Sequence, residues 1–331
     1  MAKIKVKKKR KILWKSVFFF FVYMIFFMGV SSFLMTLYGP FENVKRTYVG
    51  SAMETMNHQY LATTFLSQKQ IDKILDKKNV TTVTDEQNLS EIKINKKADD
   101  TIVKQEIHEK RFDGYILDIA DPRRIKVGIT KKLRVRGQTT SEIVEEYGGI
   151  AGINGAGFTD ESTTGKSFVG TGAFPEGIVV SEGKIAFENV GDDEKIEAIA
   201  FDKSGNLVVG KHTLNELMSM GIQEALSFNY TLIINGKPQV KYGENGLAPR
   251  TAIAQRADGH VLLLVIDGRK FPKEGATIKE VQDLLISQGA VNAANLDGGS
   301  STTMYYDGDI VNDPSDSSGE RTIATAFYVT P

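Results

Sequence analysis

Apolar residues are laid along this chain in three textures. From Ser16 to Tyr38, 23 successive residues carry no charge and are rich in Phe. About 20 such residues cross a bilayer as a helix, so this stretch is expected to span one. From Gly50 to Lys78 the positions Met53, Met56, Tyr60, Leu61, Phe65, Leu66, Ile71, Ile74 and Leu75 recur near helical spacing. That period predicts one amphipathic helix, read as a stalk. Residues 79–110 mix Thr, Asp, Lys and Asn without sustained periodicity and read as a linker with room for short strands.

From Phe112 the period shortens. Gly114–Ala120 and Arg124–Ile129 read as strands joined by the Asp121-Pro122 turn, and Ile150–Ile153 as a strand opening onto a glycine loop. Further strands are expected at Glu176–Val180, Lys184–Phe187, Glu197–Phe201, Leu207–Gly210, Tyr230–Ile234, Thr251–Gln255 and Val261–Ile266. Helices are expected at Thr140–Tyr147, with Ser141 as its cap, at Leu214–Met220 and at Ile278–Gln288. Many short strands with few helices predict an α+β domain on a large, mainly antiparallel mixed sheet. The expected organisation is a basic segment 1–15, an anchor 16–38, a helical stalk and linker 39–111, and a folded domain 112–331.

Charge fixes the orientation. Eight Lys or Arg and no acid precede or begin the apolar stretch, so the N-terminus is expected in the cytoplasm and the rest outside the cell, a single-pass arrangement. A cleavable signal peptide would have an apolar core of about 7–15 residues ending in a small-x-small site. The core here is longer and residues 33–38 offer no such site, so an uncleaved anchor is expected. Without those eight cations, 33 basic residues face 41 acidic ones, a formal −8. No basic footprint for nucleic acid remains. The chain has no cysteine and four scattered histidines, which excludes thiol nucleophiles and Cys-based zinc sites and leaves acid–base work to carboxylates.

Five segments place glycine beside a polar side chain at a strand end: Asn154-Gly155-Ala156-Gly157-Phe158, Pro249-Arg250-Thr251-Ala252, Asp267-Gly268-Arg269, Asn295-Leu296-Asp297-Gly298-Gly299-Ser300-Ser301-Thr302-Thr303-Met304 and Gly319-Glu320-Arg321. Each taken alone is a turn, with Asp267 and Asp297 as local caps. Taken in this order they resemble the phosphodiester glycosidase family over roughly Gly114–Val329. The Asn-Leu-Asp-Gly-Gly element is the most specific piece. Family members more often carry Asn-Gly-Gly-Phe-Phe where this chain has Asn-Gly-Ala-Gly-Phe, a departure that bears on the substrate more than on the reaction. Bacterial members are described as exopolysaccharide-biosynthesis proteins, and many are exported or anchored.

The resemblance implies hydrolysis of a sugar 1-phosphodiester in a surface or secreted polysaccharide. Expelling a phosphate monoester, whose second pKa is about 6, asks for positive charge more than for a proton. Arg250, Arg269 and Arg321 are the candidate phosphate clamps, since a guanidinium grips two oxygens at once. The oxocarbenium character of the sugar calls for a carboxylate: Asp297 first, then Asp267, then Glu320. Asn154, Ser300, Ser301, Thr302 and the amides of Gly298 and Gly299 are candidates to hold sugar hydroxyls or phosphate oxygens. Retaining and inverting outcomes stay open. A serine triad is disfavoured because no histidine sits in a comparable motif. The segment Asp307–Asp316 is rich in oxygen ligands without an EF-hand pattern; a solvated loop is the first reading and a Ca²⁺ site the second. No cofactor is required. The rival functions are a non-catalytic glycan-binding or assembly module and a metal-dependent phosphodiesterase that cuts the P–O bond.

Overall fold

A computed structural model describes residues 14–53, 59–75, 86–160, 170–191, 193–240, 246–270 and 272–331. The apolar stretch is a helix, Trp14–Tyr38, of 25 residues. At 1.5 Å per residue it is about 37 Å long, more than the roughly 30 Å of hydrocarbon in a bilayer. Phe18, Phe19, Phe20, Phe21, Phe26 and Phe27 are exposed, and among the described residues it is the one helix long and apolar enough to cross a membrane.

The single helix expected over Gly50–Lys78 is broken instead into Glu42–Met53, Tyr60–Thr63 and Gln68–Ile74; residues 54–58 and 76–78 of that span lie outside the described residues. The break has a local cause. Ser67 is extended, and its N–H donates to the Gln70 side chain at 2.9 Å, a capping box that starts a new helix. The pieces fold back on the end of the long helix, burying Leu37, Val49, Ala62, Leu66, Ile71 and Leu75 together. The Tyr38 hydroxyl donates to the Phe65 carbonyl at 2.7 Å across that contact. Of the positions read from periodicity, Leu66, Ile71 and Leu75 are buried while Tyr60 and Phe65 are exposed, and the period did not show that the chain turns.

The linker is part of the domain's surface. Gln87 donates to Leu207 O at 2.7 Å and accepts from Val209 N at 3.0 Å, so one side chain caps the open edge of a strand. Ile102–His108 pairs antiparallel with Asp113–Ile119, so the sheet begins before Phe112.

The α+β class holds, and every strand pair among the described residues is antiparallel; these residues form three sheets of five or more strands and a small pair, Phe158–Thr159 with Phe174–Pro175, where one large sheet was expected. The first runs Ile102–His108, Asp113–Ile119, Val261–Ile266, Arg250–Arg256, Ala290–Leu296, Thr231–Ile234, Lys237–Pro238. The second runs Leu207–His212, Ile196–Asp202, Ile222–Ser227, Ile178–Ser181, Lys184–Glu188. The third runs Asp309–Ile310, Met304–Tyr306, Ala151–Asn154, Thr325–Val329, Ile125–Ile129. Leu263, Ile253 and Leu296 of the first, Ile199 and Phe201 of the second, and Ile153 and Phe327 of the third share one core.

Each sheet is backed by a short helix on its outer face. Alternate residues Ala252, Ala254, Leu262 and Leu264 meet Ile278, Val281 and Leu285 of the helix Ile278–Ser287. Leu214 and Leu217 of Leu214–Ser219 cover the second sheet, and Ile143 of Thr140–Glu146 the third. Burial on both faces explains why strands such as Val261–Ile266 read as unbroken apolar runs. The expected cap Ser141 is not the cap. Thr139 accepts from Glu142 N in a capping box, and Ser141 is turned to another partner.

Candidate active site

The strands Arg250–Arg256, Val261–Ile266 and Ala290–Leu296 deliver Arg250, Asp267 and Asp297 to the same end of the first sheet. Arg250 pairs with Ile266, and Thr251 pairs with Leu296, one step before Asp297. The third sheet is tied on here by Asn154. Its amide donates to Asp297 O at 2.5 Å, and its oxygen accepts from Thr251 Oγ1 at 2.7 Å and Thr303 N at 3.1 Å. Asn154 is fully buried and works as a staple between sheets, a different duty from the substrate contact expected of it.

Asp297 is 7 % exposed, and burial pushes its carboxyl up to about 7. The Ser301 hydroxyl, the Arg321 guanidinium and the Gly298 N–H oppose that rise, while the charge of Glu176 adds to it. Arg321 reaches Ser300 Oγ at 2.9 Å and lies over the Phe158 ring, 4.8 Å from its centroid. Arg269 also approaches the turn: a Cβ built on Gly299 would meet its guanidinium nitrogens at 3.0 and 3.1 Å. Gly299 has φ +63°, which together with that approach makes glycine the residue for this position. Two cations thus flank the turn that carries Asp297.

The turn is held by its own amides. Gly298 N–H bonds the Asp297 carboxylate and Gly299 N–H donates to Pro249 O at 2.9 Å. These donors serve the carboxylate and the turn itself. Thr302 is 1 % exposed, its hydroxyl has no hydrogen-bond partner among the described residues, and its carbonyl accepts from Asn312 at 3.2 Å.

The other two expected carboxylates are committed elsewhere. Asp267 accepts from Asn312 Nδ2 at 2.9 Å and from Asp313 N at 3.1 Å, and Asn312 in turn holds Thr302 O and Met304 N. Asp267 therefore orients the segment behind the turn. Both oxygens of Glu320 take Ser141, one from its N–H at 3.0 Å and one from its hydroxyl. Glu320 anchors the stretch that presents Arg321. Arg250 is also redirected: its guanidinium donates to Ala276 O at 3.0 Å and Gly246 O at 2.6 Å, on the side facing the helix Ile278–Ser287. In the 307–316 segment, Asp313 pairs with Lys270 at 2.5 Å and Asp316 accepts from Ser318.

Sequence reading missed Glu176. Its N–H donates to Gly157 O at 2.9 Å while Asp297 N–H donates to Gly155 O at 3.1 Å, so one glycine turn aligns both acids. Its local signal, an acid before Gly177 at the end of Ala-Phe-Pro, was of the same kind as the motifs that were read.

The family model described as phosphodiester glycosidase matches residues 147–330, more than half of the chain and including Asn154, Glu176, Arg250, Asp267, Arg269, Asp297, Glu320 and Arg321. The chain belongs to the phosphodiester glycosidase family. Among relatives, a Bacillus subtilis (strain 168) protein described as SPbeta prophage-derived uncharacterized protein YomE is 32% identical over 128 residues, 36% of this chain and 20% of that one. The Bos taurus N-acetylglucosamine-1-phosphodiester alpha-N-acetylglucosaminidase is 38% identical over 72 residues, 22% of this chain and 14% of that one. The matches thus span a fifth or less of the length of these curated relatives. The solved catalytic domain of the zebrafish enzyme of that name, described as auto-inhibited by pro-peptide, superposes with a TM-score of 0.59 at 19% identity, covering 76% of this chain and 93% of that one. That likeness shows a shared fold.

Proposed function

We propose that this protein is a membrane-anchored phosphodiester glycosidase, facing outward, that hydrolyses a sugar 1-phosphodiester in a surface or secreted polysaccharide. The observation that carries the reading is a buried carboxylate, Asp297, on a turn flanked by the Arg321 and Arg269 guanidinium groups. Arg321 and Arg269 hold the phosphate. As the anomeric C–O bond breaks, its electron pair stays on the phosphate oxygen, and the monoester leaves toward the two cations with little need of a proton. Ionised Asp297 serves the anomeric carbon, where positive charge develops, and Glu176 is the second carboxylate of the site. Glu320, Asp267, Asn154 and Arg250 position these groups. The helix Trp14–Tyr38 is the anchor, and the basic residues before it keep the N-terminus in the cytoplasm.

The test is turnover of a panel of methyl phosphodiesters of sugar 1-phosphates by the wild type and by Asp297→Asn and Arg321→Ala proteins of unchanged circular dichroism. Release of free sugar by the wild type and a loss of at least a thousandfold in Asp297→Asn are expected. Retention of ligand without release of sugar would instead mark a binding module.

A further inference from the structure

Glu176 lines a cavity of about 550 Å³ together with Phe228, Asn229 and Tyr230. A second cavity, of about 900 Å³, begins where the first ends: Lys195, Glu197 and Lys211 line both. The two form one trough along the strands Ile196–Asp202 and Leu207–His212, and the segment around Gln87 is one of its walls. Each part is in the range of a ligand pocket, and together they exceed what one sugar unit needs.

The lining states what fits. Four carboxylates face the trough, Glu86, Glu176, Glu197 and Glu216, against the two ammonium groups of Lys195 and Lys211. Lys195 is itself paired with Glu216 at 3.4 Å. Burial holds the His212 imidazole below its ordinary value, so at neutral pH it adds no third cation. A polyanion meets net repulsion here. An uncharged, hydroxyl-rich chain meets acceptors, amides and the aromatic faces of Phe228 and Tyr230.

An independent observation concerns Gln239. Gln239 lines the larger cavity and is 1 % exposed, and its side-chain oxygen has no hydrogen-bond partner among the described residues. Its amide nitrogen is used, donating to Lys237 O at 3.0 Å. A buried acceptor left without a donor costs about 1–3 kcal/mol unless something supplies one. A sugar hydroxyl does so.

We infer that the trough is an extended subsite for an uncharged oligosaccharide on the glycosyl side of the scissile bond, running from Glu176 to Gln239. The inference rests on the proposed activity for its direction: phosphate sits with Arg321 and Arg269, and the acid-rich trough takes the saccharide. The substrate is then an oligosaccharide joined through its reducing-end carbon to phosphate, in place of a chain with phosphate in every repeat.

Two measurements test this on the full-length protein in detergent. The first compares kcat/KM for methyl phosphodiesters of a monosaccharide 1-phosphate and of a neutral tetrasaccharide 1-phosphate. The wild type is expected to prefer the tetrasaccharide at least tenfold, and Gln239→Met or the trough-filling Ser219→Trp to abolish that preference. No preference in the wild type, or the same preference in both variants, overturns the subsite. The second measures binding of the Asp297→Asn protein to an array of neutral and of multiply phosphorylated tetrasaccharides. Binding of a neutral member that weakens tenfold with either trough substitution supports the subsite even if no substrate turns over, an outcome that would count against the activity alone. Stronger binding of multiply phosphorylated members, or no neutral member sensitive to the substitutions, overturns it.

Discussion

Asp297→Asn should stabilise the protein at alkaline pH and not at acid pH. Burial raises the Asp297 carboxyl from 3.8 to about 7, a shift of about 3 units. At about 1.4 kcal/mol per unit, the folded state is disfavoured by on the order of 4 kcal/mol once the group must be ionised. The folded protein holds this proton more tightly than the unfolded chain does. The stability it contributes is therefore complete below about pH 4 and lost progressively as pH rises to about 7, beyond which the deficit is constant. Asparagine keeps a neutral side chain throughout. The stability of Asp297→Asn relative to wild type should thus rise by up to about 4 kcal/mol between pH 4 and pH 8, or roughly 10 °C in Tm for a domain of this size. Unfolding should be followed by circular dichroism of the domain, because the only tryptophan, Trp14, lies outside it in the helix Trp14–Tyr38. A difference that stays flat from pH 4 to pH 8 would refute the buried, strained carboxylate on which the site assignment rests.

Three other substitutions separate chemistry from support. Arg321→Gln removes a cation that favours ionised Asp297, so kcat/KM should fall about a hundredfold at pH 7 and the rising limb of its pH profile should move upward from about 7; an unmoved limb would show the two groups to be uncoupled. Gly299→Ala places a methyl group about 3 Å from the Arg269 guanidinium at φ +63°, and should cost about 1 kcal/mol in denaturant unfolding while raising KM severalfold. Arg250→Met leaves the Ala276 and Gly246 carbonyls without their donor, so a loss of about 2–4 kcal/mol with kcat/KM within fivefold of wild type is expected; a hundredfold kinetic loss at unchanged stability would return Arg250 to the chemistry.

Much of the domain was legible because local rules and the final packing agree. Thr213 and Glu216, and Thr277 and Glu280, start their helices with capping boxes visible as Thr-x-x-Glu, and the apolar strand runs end where glycine turns begin. The same signal, Thr139-x-x-Glu142, was passed over for Ser141, which the structure gives to Glu320. How strands divide among three sheets was not legible, since Asp113–Ile119 and Ile125–Ile129 are neighbours in sequence yet belong to different sheets. At the site, the motif marked Asp297, Arg321 and Arg269 because a polar side chain beside glycine at a strand end is a local property. It could not separate them from Arg250, Asp267 and Glu320, whose partners come from segments up to 179 residues away. Glu176 was missed for the converse reason: it and Asp297 are each tied to the Gly155–Gly157 turn through their backbone N–H groups, a relation with no trace in spacing.

Hydrolysis of a glycosyl phosphodiester in ¹⁸O-labelled water, with both products analysed by mass, tests the central claim most directly. Attack at the anomeric carbon beside Asp297, with phosphate leaving toward Arg321 and Arg269, predicts label in the sugar and none in the phosphate monoester. Label in the phosphate would mean P–O cleavage and would contradict the account.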